Sequence, residues 1–160
     1  MVYHTQTGLT ESWEYDSMGR LKSAIGGGMR YEYSYYQNGL LREKKASGRT
    51  LLSYAYDLDG NKVSRRDITG KETGYVYNKD GQLTGVTDNG QPLATYRYHA
   101  DGNVESLTIG KSLTTRYGYD TDRNLQSLQT TDGDSVLADS TFVYDANANR
   151  VEKTGLDWHG

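Results

Sequence analysis

The feature that most limits what this chain can fold into is an aromatic pair, two residues apart, that returns at an almost fixed interval. The pairs are Trp13 and Tyr15, Tyr33 and Tyr35, Tyr54 and Tyr56, Tyr75 and Tyr77, Tyr96 and Tyr98, Tyr117 and Tyr119, and Phe142 and Tyr144. Their second members are separated by 20, 21, 21, 21, 21 and 25 residues. A period of this length signals one supersecondary unit repeated in an array, each copy completed by its neighbours because none can bury an apolar face alone.

The unit is clearest in Tyr75-Val76-Tyr77-Asn78-Lys79-Asp80-Gly81-Gln82-Leu83. Residues two apart share one face of an extended chain, so Tyr75 and Tyr77 mark a strand, Asn78 to Gly81 carry turn chemistry, and Leu83 starts the returning strand. Glycine follows the second aromatic at Gly19, Gly39, Gly60, Gly81 and Gly102, with Arg123 and Ala148 in the last two copies. An apolar residue then recurs at Leu21, Leu41, Val63, Leu83, Val104, Leu125 and Val151. Together with the aromatic pairs these are the predicted structural anchors of the repeat.

A turn closed by a left-handed residue sets Tyr15 opposite Leu21. The second turn of each unit fixes the other side. Asn89-Gly90 is a strong two-residue hairpin signal and predicts Leu83 opposite Tyr96. The same counting across Ser47-Gly48, Gly110-Lys111 and Gly133-Asp134 predicts Leu41 opposite Tyr54, Val104 opposite Tyr117 and Leu125 opposite Phe142. Each Leu or Val then lies between two aromatics in a cross-strand row. Strict alternation puts Glu14, Ser34, Ala55, Val76, Arg97, Gly118 and Val143 on the other face, with Ala24, Val86, Leu107 and Leu128.

No segment shows apolar residues at helical spacing over three turns, and 19 glycines interrupt the chain throughout. The predicted fold is therefore all-β, a twisted antiparallel meander of tandem hairpins with roughly fourteen strands. Residues 1–12 read as a lead-in, 13–153 as seven repeats and 154–160 as a tail; the last copy lacks a full return strand. Fifteen tyrosines and two tryptophans, against one phenylalanine, make the expected core aromatic.

A net charge of −3 without a dense Lys/Arg run argues against a nucleic-acid footprint or a basic membrane patch. There is no cysteine, hence no disulfide or thiolate metal site. Met1-Val2-Tyr3-His4-Thr5 is not a basic segment leading into an apolar one, and the chain holds no apolar run of about 18 residues, so neither a signal peptide nor membrane insertion is expected.

Tyr56-Asp57-Leu58-Asp59-Gly60-Asn61-Lys62-Val63 and Tyr15-Asp16-Ser17-Met18-Gly19-Arg20-Leu21 resemble the YD repeats of the Rhs family. That family includes bacterial Rhs polymorphic toxins, shell-forming components of insecticidal toxin complexes, wall-associated bacterial proteins and animal teneurins. The resemblance covers about residues 13 to 153. Tyr36, Asn78 and His99 depart from it at the Asp position, Arg123 and Ala148 at the Gly position. It implies a ribbon of hairpins forming part of a shell around a toxin or effector cargo, in a larger secreted or cell-surface bacterial protein. The self-cleavage motif of cargo-releasing relatives is not matched by Leu156-Asp157-Trp158-His159-Gly160.

Catalytic or cofactor chemistry finds no foothold. Asp57-x-Asp59-Gly60-Asn61 is acid-rich, but it lacks the glycine and distal glutamate of a calcium loop, and an Asx turn explains it. His4, His99 and His159 form no spaced ligand set. Gly26-Gly27-Gly28 lacks the lysine and helix of a phosphate loop. The reading is a non-enzymatic structural module without metal or cofactor, whose partners are other repeats through edge strands and a protein cargo. The alternative is a carbohydrate-binding or adhesion module, for which Tyr3, Tyr31 and Tyr36, off the repeat pattern, are the candidate contacts.

Overall fold

The computed structural model describes residues 2–4 and 10–156, with side chains from residue 11 onward. Fifteen strands follow one another in chain order, antiparallel in sequence from β1 to β8 and again from β10 to β15, with no helix among the described residues. The chain forms two compact units, Met1–Tyr75 with Asp88–Gly90, and Val76–Thr87 with Gln91–Gly160.

The first unit contains β1 (Val2–His4), β2 (Thr10–Tyr15), β3 (Leu21–Gly26), β4 (Met29–Tyr35), β5 (Leu41–Ala46), β6 (Arg49–Tyr56), β7 (Lys62–Asp67) and the start of β8 (Glu72–Tyr77). The second holds the end of β8, most of β9 (Leu83–Asp88), β10 (Gln91–Tyr98), β11 (Val104–Ile109), β12 (Leu113–Tyr119), β13 (Leu125–Asp132), β14 (Ser135–Tyr144) and β15 (Arg150–Leu156). Two strands depart from expectation. β1 pairs with β2 inside the segment read as a lead-in. β15 pairs with β14 as far as Leu156, so the last copy does have its return strand.

Short second turns close on two left-handed residues, as at Gly27-Gly28 (φ 58° and 76°), Ser47-Gly48 (φ 48° and 81°) and Asn89-Gly90 (φ 49° and 79°). This conformation matches the twist of the flanking strands. The first turns are longer and end on the repeat glycine, whose positive φ only glycine adopts without strain. Arg123 (φ 67°) and Ala148 (φ 61°) take the same conformation, so both copies keep the turn without the glycine.

A β-bulge follows the first turn of each copy whose pairing is described, and it overturns the simple alternation. Tyr15 faces Leu21 while Glu14 faces Ser23, leaving Lys22 as the extra residue. The same break occurs at Tyr35 with Leu41, Tyr56 with Lys62, Tyr98 with Val104, Tyr119 with Leu125 and Tyr144 with Arg150. A bulge sets two residues against one and reverses the side-chain parity beyond it.

Three corrections follow. The residues opposite Tyr56 and Tyr144 are Lys62 and Arg150, and the expected anchors Val63 and Val151 are the bulged residues. Ala24, Leu107 and Leu128 lie on the aromatic face, opposite Trp13, Tyr96 and Tyr117. At three of the second turns the register is displaced by one from that expected. Extra residues in β6 and β14 leave Glu43 facing Ser53 and Ser127 facing Thr141, rather than Leu41 facing Tyr54 and Leu125 facing Phe142. Ser106 faces Arg116 because a three-residue loop separates Ile109 from its partner Leu113.

Among the described residues no large side chain is fully buried, and Ala46 is the one buried apolar residue. The anchors are mostly half-buried, with Tyr15 and Val151 exposed. Cohesion therefore rests on cross-strand contacts within a sheet rather than on a core between layers.

Candidate functional site

The chemistry specific to this sequence is concentrated at the first turns and along the tyrosines beside them. In the turn that opens with Asp57, Oδ1 accepts from the amides of Asp59 (3.0 Å) and Asn61 (2.8 Å), and Oδ2 accepts from Asn61 Nδ2 (3.0 Å). Asp120 with Asn124, and Asp145 with Asn149, repeat this arrangement. Asp16 closes instead on Arg20, whose Nε lies 2.7 Å from Oδ2. A carboxylate receiving several N–H groups is favoured in its charged form. The Asn61, Asn124 and Asn149 side chains accordingly hold Asp57, Asp120 and Asp145 below the usual aspartate range, and the Arg20 amide does so for Asp16.

Asn78 shows that charge is dispensable, because its Oδ1 accepts from the same two amide positions, Asp80 at 3.0 Å and Gln82 at 2.9 Å. Where Tyr36 and His99 stand at this position, the acceptor moves two residues on. Asn38 then accepts from the Leu40 amide, and Asp101 from the Asn103 amide. The backbone turn is preserved in both.

The same position decides how the next copy is tied on. After Asp16, Asn78 and Asp120, the next second aromatic donates its hydroxyl to the carbonyl of the preceding return strand. Tyr35 reaches Leu21 O at 2.8 Å, Tyr98 reaches Leu83 O at 2.7 Å and Tyr144 reaches Leu125 O at 2.9 Å. Where it is aromatic, the next tyrosine packs edge to face against it. Tyr56 meets Tyr36 with centroids 6.0 Å apart at 88°, and Tyr119 meets His99 at 6.1 Å and 87°. Burial raises the hydroxyl pKa of Tyr35, Tyr56, Tyr98 and Tyr119.

Cations fill gaps on the aromatic face. Lys62 Nζ lies 5.1 Å from the centroid of Tyr54, and the Arg150 guanidinium 5.4 Å from that of Phe142. An aliphatic stem capped by a cation thus stands where other copies have Leu or Val, gaining a cation–π contact. The signal for these two residues was their place one residue before the valine.

The candidate glycan contacts are partly engaged. The Tyr36 hydroxyl donates to Tyr54 O at 2.9 Å, and Lys44 Nζ sits 4.8 Å from the Tyr31 centroid. The side chains of Tyr3 and His4 are outside what the structure describes, as is the whole of His159. No cluster of three or more metal-ligating side chains occurs among the described residues.

Residues 77–111 match the Rhs repeat family model. No curated protein sequence matches the chain. Among solved structures, the crystal structure of TcdB2-TccC3-Cdc42 superposes with a TM-score of 0.79 at 18% identity, covering 92% of this chain and 9% of that one. The crystal structure of TcdB2-TccC3-TEV gives 0.55 at 14% identity, over 97% of this chain and 12% of the other. TcdB2-TccC3 without its hypervariable C-terminal region gives 0.54 at 14% identity, with the same coverage. The chain thus spans about a tenth of the length of these structures, which share its fold. The Rhs repeat model thus covers the stretch from Tyr77 to Lys111, and the aromatic pattern within it recurs in register along the rest of the chain.

Proposed function

We propose that this structural repeat module is a length of β-wall, without enzymatic activity, from a shell that encloses or presents a toxin or effector cargo in a larger secreted or cell-surface protein. The observation that carries the reading is the tie between consecutive copies, in which a tyrosine hydroxyl locks onto the carbonyl of the preceding return strand. Such a bond spends the functional groups of the repeat on its neighbours and leaves a continuous sheet as the product. The small fraction of the similar structures that the chain spans supports its being one segment among many. β15 is exposed along its length and offers an unpaired edge to a further repeat or a neighbouring chain.

The test is protection. In the longer protein that carries these repeats, cargo should resist protease while the wall is intact and become sensitive when Tyr98→Phe and Tyr144→Phe loosen it. Cargo that is digested equally in both would refute enclosure. A glycan array separates the carbohydrate reading, since saturable binding lost in Tyr31→Ala and Tyr36→Ala would move the assignment there.

A further inference from the structure

The face opposite the aromatics carries a second pattern. In five copies, the residue between the two aromatics faces the return-strand residue two beyond the partner of the second aromatic, and that residue in turn faces the next strand. In the first copy the row is Glu14, Ser23, Glu32. In the fifth it is Arg97, Ser106, Arg116. Both rows have a buried serine at the centre, with Ser23 2% and Ser106 9% exposed.

The first row shows what the serine does when a carboxylate is beside it. Ser23 Oγ donates to Glu14 Oε2 at 2.8 Å, and Arg30 approaches the same oxygen at 3.5 Å. The serine hydroxyl lowers the Glu14 pKa, with Arg30 adding to the effect. In the fifth row both neighbours are cations, and among the described residues neither guanidinium has an ion-pair or hydrogen-bond partner, nor has the Ser106 hydroxyl. Arg97, Ser106 and Arg116 line one cleft with Glu105, Thr108 and Thr114. Thr108 and Thr114 bond each other through their hydroxyls at 3.0 Å.

We propose that Arg97, Ser106 and Arg116 form a binding subsite for carboxylates carried on an extended acidic segment of a protein. The strands of Arg97 and Arg116 flank that of Ser106, so their backbones lie roughly 10 Å apart. Two guanidiniums at that separation converge on carboxylates placed above the serine, each presenting a planar fork of donors that matches an oxyanion. An extended peptide presents alternate side chains on one face, so a Glu-x-Glu segment reaches both arginines with the hydroxyl donating between them. Glu105, the bulged residue, is the one acid in the cleft and opposes such a ligand.

The experiment follows the arginine Nε–Hε signals by NMR at constant ionic strength, with acetyl-Glu-Ala-Glu-amide and glutarate as probes and chloride as control. Saturable shifts of Arg97 and Arg116 at about millimolar probe are expected, reduced several-fold by Arg97→Gln or Arg116→Gln. Glu105→Gln should tighten binding about threefold, since it removes one like charge from solvent-exposed contact range. Tighter binding of the peptide than of glutarate supports a protein segment as the source, and equal binding supports a free dicarboxylate at the same site. Shifts no larger than those with chloride, or shifts that persist when both arginines are replaced, overturn the proposal. The remaining amide spectrum of each variant reports whether the sheet is intact.

Discussion

Removing a single hydroxyl separates the two ways in which copies are joined. Tyr98 donates to Leu83 O at 2.7 Å from a half-buried ring, whereas Tyr119, at the equivalent position, contacts His99 by its edge and has no hydrogen-bond partner among the described residues. Tyr98→Phe keeps the ring and its burial but leaves the Leu83 carbonyl without its donor. A hydrogen bond of this kind contributes about 1 kcal/mol net, which is roughly a fivefold change in an opening equilibrium. Tyr119→Phe removes an unpartnered hydroxyl and should stay within about 0.5 kcal/mol of the parent. Native-state hydrogen exchange is the suitable assay because repeat arrays open in parts rather than all at once. Amides around the turn from Asn78 to Gln82 and along β9 and β10 should lose about fivefold protection in Tyr98→Phe. Equal losses in the two variants, or none in either, would refute the claim that the hydroxyl tie holds consecutive copies together.

The turns offer a gain of stability. A left-handed L-residue costs about 1–2 kcal/mol and glycine gives back about 0.5–1 kcal/mol through the unfolded chain. Arg123→Gly and Ala148→Gly should thus each stabilise the second unit by about 0.5–1 kcal/mol, read as a higher urea midpoint at unchanged slope. Acid should act the other way. Asp16, Asp57, Asp67, Asp120 and Asp145 all have folded pKa values below the ordinary range. Their contribution is full above about pH 4, near the unfolded value, and is lost as pH falls through the lower folded values. Asp57→Asn, which copies the native Asn78, should leave the neutral-pH melt unchanged and flatten the acid limb of the first unit, as circular dichroism against pH will show. At Gly155, φ is 131° and an added Cβ would fall on Asp139 O. Gly155→Ala should release β15 from β14, with fast exchange of its amides while β12 and β13 stay protected.

The aromatic spacing, the turn chemistry and the all-β class were legible because each depends on residues close in sequence. Tyr15 opposite Leu21 follows from one turn and its closing glycine. What misled was the assumption that a return strand alternates from its first residue. The extra residue after each turn reverses parity, and the sequence carries a trace of it, since Leu21 and Ala24, Val104 and Leu107, and Leu125 and Leu128 are three apart rather than two. An apolar spacing of three is foreign to an unbroken strand and is what a bulge between them produces. The same shift explains why valines at 63 and 151 drew attention from Lys62 and Arg150, whose stems do the packing.

The bulge also links the two faces. By placing two apolar positions of the return strand on the aromatic side, it turns the intervening second residue after the anchor to the opposite side, where Ser23, Glu43, Ser64, Ser106 and Ser127 each face a strand on both flanks. The aromatic face is held nearly constant by the need for cohesion. The flanks of the polar row carry no such burden and are free to change, from glutamates around Ser23 to arginines around Ser106, and to glycine at Gly118, where an added Cβ would require the Ser127 hydroxyl to turn aside. One backbone device therefore divides the repeat into a side that builds the wall and a side on which each copy can be given its own charge.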